Sequence, residues 1–132
     1  MGTDNSFGKA RRLLNAQDYS QVFDGAEARA SHKHLLLLAI ANNKPRHRLG
    51  LVIAKKNIRL AAQRNRIKRI AREVFRTLPD SEPSLSEPSL DVILLARRGL
   101  DRLDNEALST ILRQQWQKLI SHASKPAKGT EH

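Results

Sequence analysis

The chain has no cysteine among its 132 residues, which excludes both a disulfide framework and a thiolate-ligated metal. Aromatic residues are nearly as scarce, with three Phe, one Tyr and one Trp. Each ring therefore has to be placed individually, as a core anchor or as a stacking surface. Long hydrophobic runs are missing too: the longest, Leu35 to Ala41, is far too short to span a bilayer. The opening MGTDNSFGKARRLL lacks the apolar h-region of a secretory leader. Gly2 with Ser6 satisfies a myristoylation pattern, but one that arises often by chance. Acids are under-represented, 13 Asp and Glu against 24 Lys and Arg, for a net charge of +11. A reducing cytoplasm suits this composition, and the expected partner is a polyanion. The length allows one domain with one modest core.

The charge is concentrated. Lys55 to Arg76, KKNIRLAAQRNRIKRIAREVFR, holds nine Lys or Arg and a single acid, Glu73. From Arg64 onward the segment has helical order, with Ile67, Ile70, Ala71, Val74, Phe75 and Leu78 on one arc. Arg64, Lys68, Arg72 and Arg76 form an i, i+4 ridge with Arg69 beside it, while Arg66 projects from the far side. A merely solvated face would mix signs to relieve the repulsion along such a row. A dense field of one sign on an amphipathic helix is instead a footprint of nucleic-acid binding. Arginine predominates in the helix, and its planar guanidinium can fork onto phosphate oxygens.

Caps and breakers divide the rest of the chain. Asn15 with Asp18 predicts a cap, Leu14 and Tyr19 a hydrophobic staple, and Gly25 the end of a short helix carrying Tyr19, Val22 and Phe23. A weak extended piece follows at 27–31. Two stronger strands, His34 to Ala41 and Leu49 to Ala54, flank the polar turn Asn42-Asn43-Lys44-Pro45, and a hairpin between them is expected. Leu35 to Ala41 is apolar on both faces. Either the first helix covers the second face or that face lines a groove, and partial cover reconciles the two.

Residues 79–90 read PDSEPSLSEPSL, a tandem SEPSL expected to be a mobile acidic loop. Asp91 to Arg97 is the next strand, Gly99 a breaker, and Asp104 the cap of a final helix with Leu103 and Leu108 as its staple. Leu108, Ile111, Leu112, Trp116 and Leu119 keep helical spacing, so Trp116 is read as packing. Residues 121–132 are expected to be a disordered tail beyond a single domain over 1–120. The order is α-β-β-β-α-β-α, an α+β sandwich with a small mixed sheet and helices largely on one face.

Four segments in this order carry a family resemblance. Asp18-Tyr19-Ser20-Gln21-Val22-Phe23, Arg48-Leu49-Gly50-Leu51-Val52-Ile53-Ala54-Lys55-Lys56, Arg64-Asn65-Arg66 with the cations after it, and Asp91-Val92-Ile93-Leu94-Leu95-Ala96-Arg97 together resemble the protein subunit of bacterial ribonuclease P. That enzyme trims the 5′ leader from precursor tRNA. The resemblance implies a left-handed β-α-β crossover, where an unlabelled strand-helix-strand unit would be expected to cross right-handedly. It also implies a protein cofactor whose large RNA partner carries the active site and its Mg²⁺ ions. The basic helix would bind that RNA through Arg64, Asn65, Arg66, Lys68, Arg69 and Arg72, with Lys55 and Lys56 extending the surface. Asn65 could bridge phosphate and backbone, or cap the helix.

The resemblance further implies a cleft for the precursor's single-stranded leader, on the first helix and one sheet face. Tyr19 and Phe23 would stand at its edge, with Leu35, Leu37, Val52 and Arg97 along it; spacing alone would make both rings anchors of the helix. Leucines occupy strand positions where the family often has rings.

No catalytic constellation is legible in the chain itself. Acids are sparse in the basic segment, and no phosphate-binding Gly loop or nucleophile elbow occurs. His32 and His34 share a strand face, but without a third ligand they read as exposed histidines. No organic cofactor, membrane or obligate protein partner is implied. A ribosomal protein or RNA chaperone would share the charge pattern but needs none of the other motifs. A DNA-binding domain is disfavoured because a strand, not a helix-turn, precedes the basic helix.

Overall fold

The computed structural model describes residue 12 and residues 16–42, 47–77 and 89–124, with side chains described as far as residue 121. Helix α1 (Ala16–Gly25) leads into strands β1 (Ala28–Ser31), β2 (Leu35–Ala41) and β3 (Arg48–Val52). Helix α2 (Ala61–Thr77) and strand β4 (Leu90–Ala96) follow, then a 3₁₀ turn at Leu100–Arg102 and helix α3 (Asn105–Ser124). This is the expected α+β order. The cap at Leu14 and Asn15, the turn residues at 43–46, Leu78 and the duplicated segment through 88 lie outside the described residues. Ser89 is buried and Leu90 already opens β4, so the expected loop ends earlier than 90. Helix α3 runs four residues past the expected start of the tail.

The four strands form one mixed sheet in the order β1-β2-β4-β3. The hairpin joins β1 and β2 through the turn at 32–34, where the His32 and Leu35 backbones exchange hydrogen bonds of 2.8 and 3.3 Å. The hairpin expected between β2 and β3 is absent, because β4 lies between them, antiparallel to β2 and parallel to β3. The reason is composition. LDVILLA is buried at six of its seven positions, and a strand apolar on both faces belongs at the sheet centre. The shorter β3 carries Arg48 and is left at the edge, with α2 as its crossover to β4.

Two cores lie on opposite sheet faces. On the larger side, Leu35, Leu37, Ala39, Leu49, Val92 and Leu94 meet Ile67, Ile70, Ala71, Val74 and Phe75 of α2 and Leu108, Leu112, Trp116 and Leu119 of α3. Every described residue of the basic helix's apolar arc is thus in the core. Trp116 packs edge-on against Phe75, centroids 5.0 Å apart, and against His47 at 5.3 Å. Buried His47 also accepts the Leu90 N–H at 2.9 Å, which fixes the start of β4. Asp104 caps α3 through its Oδ1, 2.8 Å from the Ala107 N–H, with Leu103 and Leu108 on the core as expected. The smaller core is Val22 of α1 on Ile93, with Tyr19, Leu38, Ile40, Val52 and Leu95 packed around them.

Candidate nucleic-acid interface

The basic helix shows which cations are spent on the fold and which are offered to solvent. Arg66 is spent. Its Nε donates to Gln63 Oε1 at 2.8 Å, Nη1 to Asn105 Oδ1 at 2.7 Å, and Nη2 to the Asp101 and Leu103 carbonyls at 3.1 and 2.9 Å. The guanidinium expected to face RNA instead ties α2 to the start of α3. Arg64 is half spent: its Nη1 donates to the Ile58 and Arg59 carbonyls, both at 3.0 Å, and closes the loop that enters α2. Arg76 pairs with Glu73 at 2.6 Å.

The remaining cations stay open. Lys68 and Arg69 have no ion pair or side-chain hydrogen bond among the described residues, and Lys55 and Lys56 are exposed in the turn after β3. Asn65 lies in the second turn of α2, exposed, so it caps nothing. Burial holds the Arg72 guanidinium below its ordinary value; Arg12 pushes the same way and Tyr19 opposes.

Opposite, α1 crosses only part of its sheet face. Pairing places Ser31, Leu36, Leu95 and Val52 in one row across the four strands, and Arg29, Leu38, Ile93 and Gly50 in the next. Val22 sits on Ile93, while Leu36 is half-exposed and outside the α1 cluster. Tyr19 is half-buried, and its hydroxyl accepts the Leu51 N–H of edge strand β3 at 3.2 Å. Phe23 is 45% exposed, unusual for a ring of its size. Tyr19 and Val52 thus share this groove, and Phe23 follows Tyr19 by one turn of α1. Arg97 lies at the groove's end and donates to Ser31 Oγ at 3.1 Å and to the His32 carbonyl at 2.7 Å.

Leu35 and Leu37 do not join them. Both are buried against α2 and α3, on the other side of the sheet. Successive side chains alternate faces, so the groove positions of β2 are Leu36 and Leu38.

The far end of the groove is held by ions. Arg48 forks onto Asp91, Nε to Oδ1 at 2.8 Å and Nη2 to Oδ2 at 2.6 Å, and its Nη2 lies 3.6 Å from Asp18 of α1. Asn42 donates to Asp91 Oδ1 at 2.7 Å. The Asp91 hydrogen bond raises the Arg48 pKa against the opposing effect of burial, so the guanidinium stays charged. This clasp sets α1 on the sheet, with Tyr19 packed against it.

Among the described residues, no three His, Cys, Asp or Glu side chains converge as metal donors, and no helix is long and apolar enough to cross a membrane. His32 and His34 bond locally: His32 Nδ1 accepts the His34 N–H at 3.0 Å, and His34 Nδ1 lies 3.2 Å from the Arg98 carbonyl.

Comparison with known proteins places these features in a lineage. The sequence profile of the family described as Ribonuclease P matches residues 7–120. The ribonuclease P protein component of Marinobacter nauticus is 46% identical over 114 residues, covering 86% of this chain and 82% of that protein. That of Saccharophagus degradans is 43% identical over 120 residues, covering 91% and 85%. A mutant Staphylococcus aureus RNase P protein superposes with a TM-score of 0.71 at 22% identity, over 83% of this chain and 87% of that one. The Thermotoga maritima RNase P protein does so at 0.65 and 25%, over 83% and 96%. The profile spans most of the chain, the similarity to these relatives covers more than four-fifths of it, and the chain belongs to the ribonuclease P protein family.

Proposed function

We propose that this protein is the cofactor of a ribonucleoprotein ribonuclease P, binding the catalytic RNA through α2 and the 5′ leader of precursor tRNA through the α1 groove. The observation that carries the reading is the placement of two different surfaces on one small domain. One is a helix whose apolar arc is buried while Lys68, Arg69 and Arg72 stay outside the core. The other is an apolar groove edged by an exposed ring and ending in an arginine.

Each surface has a chemistry suited to its partner. Lys55, Lys56, Lys68, Arg69, Arg72 and the open part of Arg64 neutralise crowded phosphates, releasing counterions on assembly. Asn65, exposed among them, supplies an amide donor and acceptor. Arg66 works indirectly, by locking the helix in place. In the groove, Phe23 offers a face on which unpaired bases stack without a sequence requirement, over Leu36, Leu38, Val52 and Leu95, with Arg97 beyond them. Tyr19 is held at the groove edge by its bond to Leu51.

A leader bound there adds affinity to the precursor and none to the mature product. The cofactor thereby biases the enzyme towards uncleaved substrate. Hydrolysis and the Mg²⁺ that supports it belong to the RNA subunit, and the compartment is the cytoplasm.

The test is cleavage of a 5′-extended precursor tRNA at low Mg²⁺ by a bacterial ribonuclease P RNA, with and without this protein, and by the protein alone. Cleavage at the mature 5′ end only with both present is the expected result. Cleavage by protein alone would overturn the assignment of catalysis. Tight RNA binding without stimulation would favour an RNA chaperone.

A further inference from the structure

We infer that a second cationic element, contributed by Lys56, Arg59, Arg98 and Arg102, is a binding site for backbone phosphates of the catalytic RNA; the inference rests on the function proposed above. The four side chains line a cavity of about 390 Å³ where the β3–α2 connection meets the turn that follows β4. Arg59 and Arg102 are 43 positions apart, so no local run of sequence announces the site. Asp101 is the one acid on its wall.

Three observations point to an anion. First, all four cations are exposed, and none has an ion pair or side-chain hydrogen bond among the described residues. Like charges gathered in one concavity repel each other, and that cost is relieved when an anion enters. Secondly, the walls are fixed before anything binds. Asn57 Nδ2 donates to the Ala96 carbonyl at 3.0 Å, joining the two connections, and Arg66 holds the Asp101 and Leu103 carbonyls. Arg64 holds the Arg59 carbonyl, and Gly99 makes the turn with φ of 95°. A rigid cradle loses little freedom on binding. Thirdly, three of the four cations are arginines, whose forked donors match phosphate oxygens.

Position decides which RNA. The cavity adjoins the N-terminal end of α2 through Arg59, two residues before the helix begins, and the start of α3 through Asp101 and Arg102. Neighbouring arginines divide the work: Arg97 bonds to Ser31 and His32 at the groove end, while Arg98 lines the cavity. The phosphates it takes are therefore those of the RNA that α2 binds, and the leader's path lies across the sheet.

The experiment compares full-length wild-type protein with Arg98→Ala/Arg102→Ala and Arg98→Lys/Arg102→Lys. Affinity for a bacterial ribonuclease P RNA is measured across a salt series, and affinity for precursor tRNA is measured in complexes saturated with protein. The alanine pair should lose about tenfold in RNA affinity at ~0.15 M salt, and the slope of log K against log salt should shrink by about 1.5. The lysine pair should keep most of both, which separates lost charge from lost fold, and precursor affinity of the saturated complex should not move.

Unchanged RNA affinity and slope in the alanine pair would overturn the inference, as would a defect confined to precursor binding. Inorganic pyrophosphate supplies the last arm. If it binds wild type but not the alanine pair while RNA affinity is the same for both, the site takes a free anion and the inference also falls. Failure of the wild-type protein to bind or stimulate the RNA would instead remove the proposed function itself.

Discussion

At the scale of single residues, the helix of alternating cations contains side chains of opposite purpose, and only contacts tell them apart. Arg66 and Arg69 look equivalent in sequence. Arg66 makes four hydrogen bonds within the protein, two of them to backbone carbonyls, whereas Arg69 is exposed. Arg66→Ala should therefore destabilise the fold by about 1–2 kcal/mol in urea unfolding, for the loss of four bonds to partly buried or exposed acceptors, while Arg69→Ala stays within about 0.5 kcal/mol. Arg66→Lys should recover little, since one ammonium cannot replace a fork reaching three directions. Equal stability of the two alanine variants would show that the Arg66 bonds are exchanged for water at no cost.

His32 gives the pH prediction. Burial, then His34, Lys118, Lys33 and Arg97, all hold its pKa below the ordinary 6.5. Between that lower folded value and 6.5 the unfolded chain binds more protons than the native one, so stability rises with pH across the window and is lost as the medium acidifies. The His32→Gln protein should show a shallower fall of its urea midpoint below pH 6.5 than wild type. A parallel fall in both would mean that His32 does not titrate differently on folding. Protonation would also remove the Nδ1 acceptor for the His34 N–H, the likeness of charge and lost bond acting in the same direction.

At the scale of elements, what sequence periodicity revealed and what it hid follow from the number of faces each element must satisfy. Helix α2 has one apolar arc and one charged arc, so its core residues were legible, and all of Ile67, Ile70, Ala71, Val74 and Phe75 are buried. Strand β2 is apolar at every position, so alternation carries no information about which leucines face which core. The pattern of β2 therefore offers nothing against the placement of Leu35 and Leu37 in the groove that the resemblance implies. The usable signal lay next door. Strand β1 reads Ala28, Arg29, Ala30, Ser31, and counting across its hairpin pairs Ser31 with Leu36 and places Leu36 on the polar strand's outer face. The same two-faced apolarity in β4 hid its central position and suggested a hairpin between strands it separates.

Two glycines give a prediction at this scale. A Cβ at Gly99 would lie 2.8 Å from the His34 ring, on a backbone whose φ of 95° already disfavours side chains. At Gly25 it would lie 2.9 Å from Ile40 Cδ1, the tip of a flexible chain, with no such backbone constraint. Gly99→Ala should lower stability by about 1–3 kcal/mol, and Gly25→Ala by less than about 1 kcal/mol. Thermal unfolding of the two variants checks the order; a reversal would place the strain at the end of α1.

At the scale of the whole molecule, the sheet separates the two surfaces to which the proposed function assigns its two binding tasks. Residues facing α2 and α3 stabilise the helix that presents cations, and residues facing α1 build a groove on the reverse. The clasp of Asp18, Arg48 and Asp91 holds the groove helix without touching the basic one. Substitutions should consequently sort by face. Lys68→Ala with Arg69→Ala removes two open cations and should weaken binding to a ribonuclease P RNA with a reduced salt slope, leaving precursor affinity of the saturated complex nearly unchanged. Phe23→Ala removes an exposed ring and should do the reverse: assembly at wild-type affinity, and a loss of about 1–3 kcal/mol in precursor binding, the range for a stacked base. Mature tRNA, which has no leader, should bind the Phe23→Ala complex as well as it binds wild type. If both variants shift assembly and precursor binding in the same ratio, the two faces act as one surface, and the sheet between them transmits rather than separates.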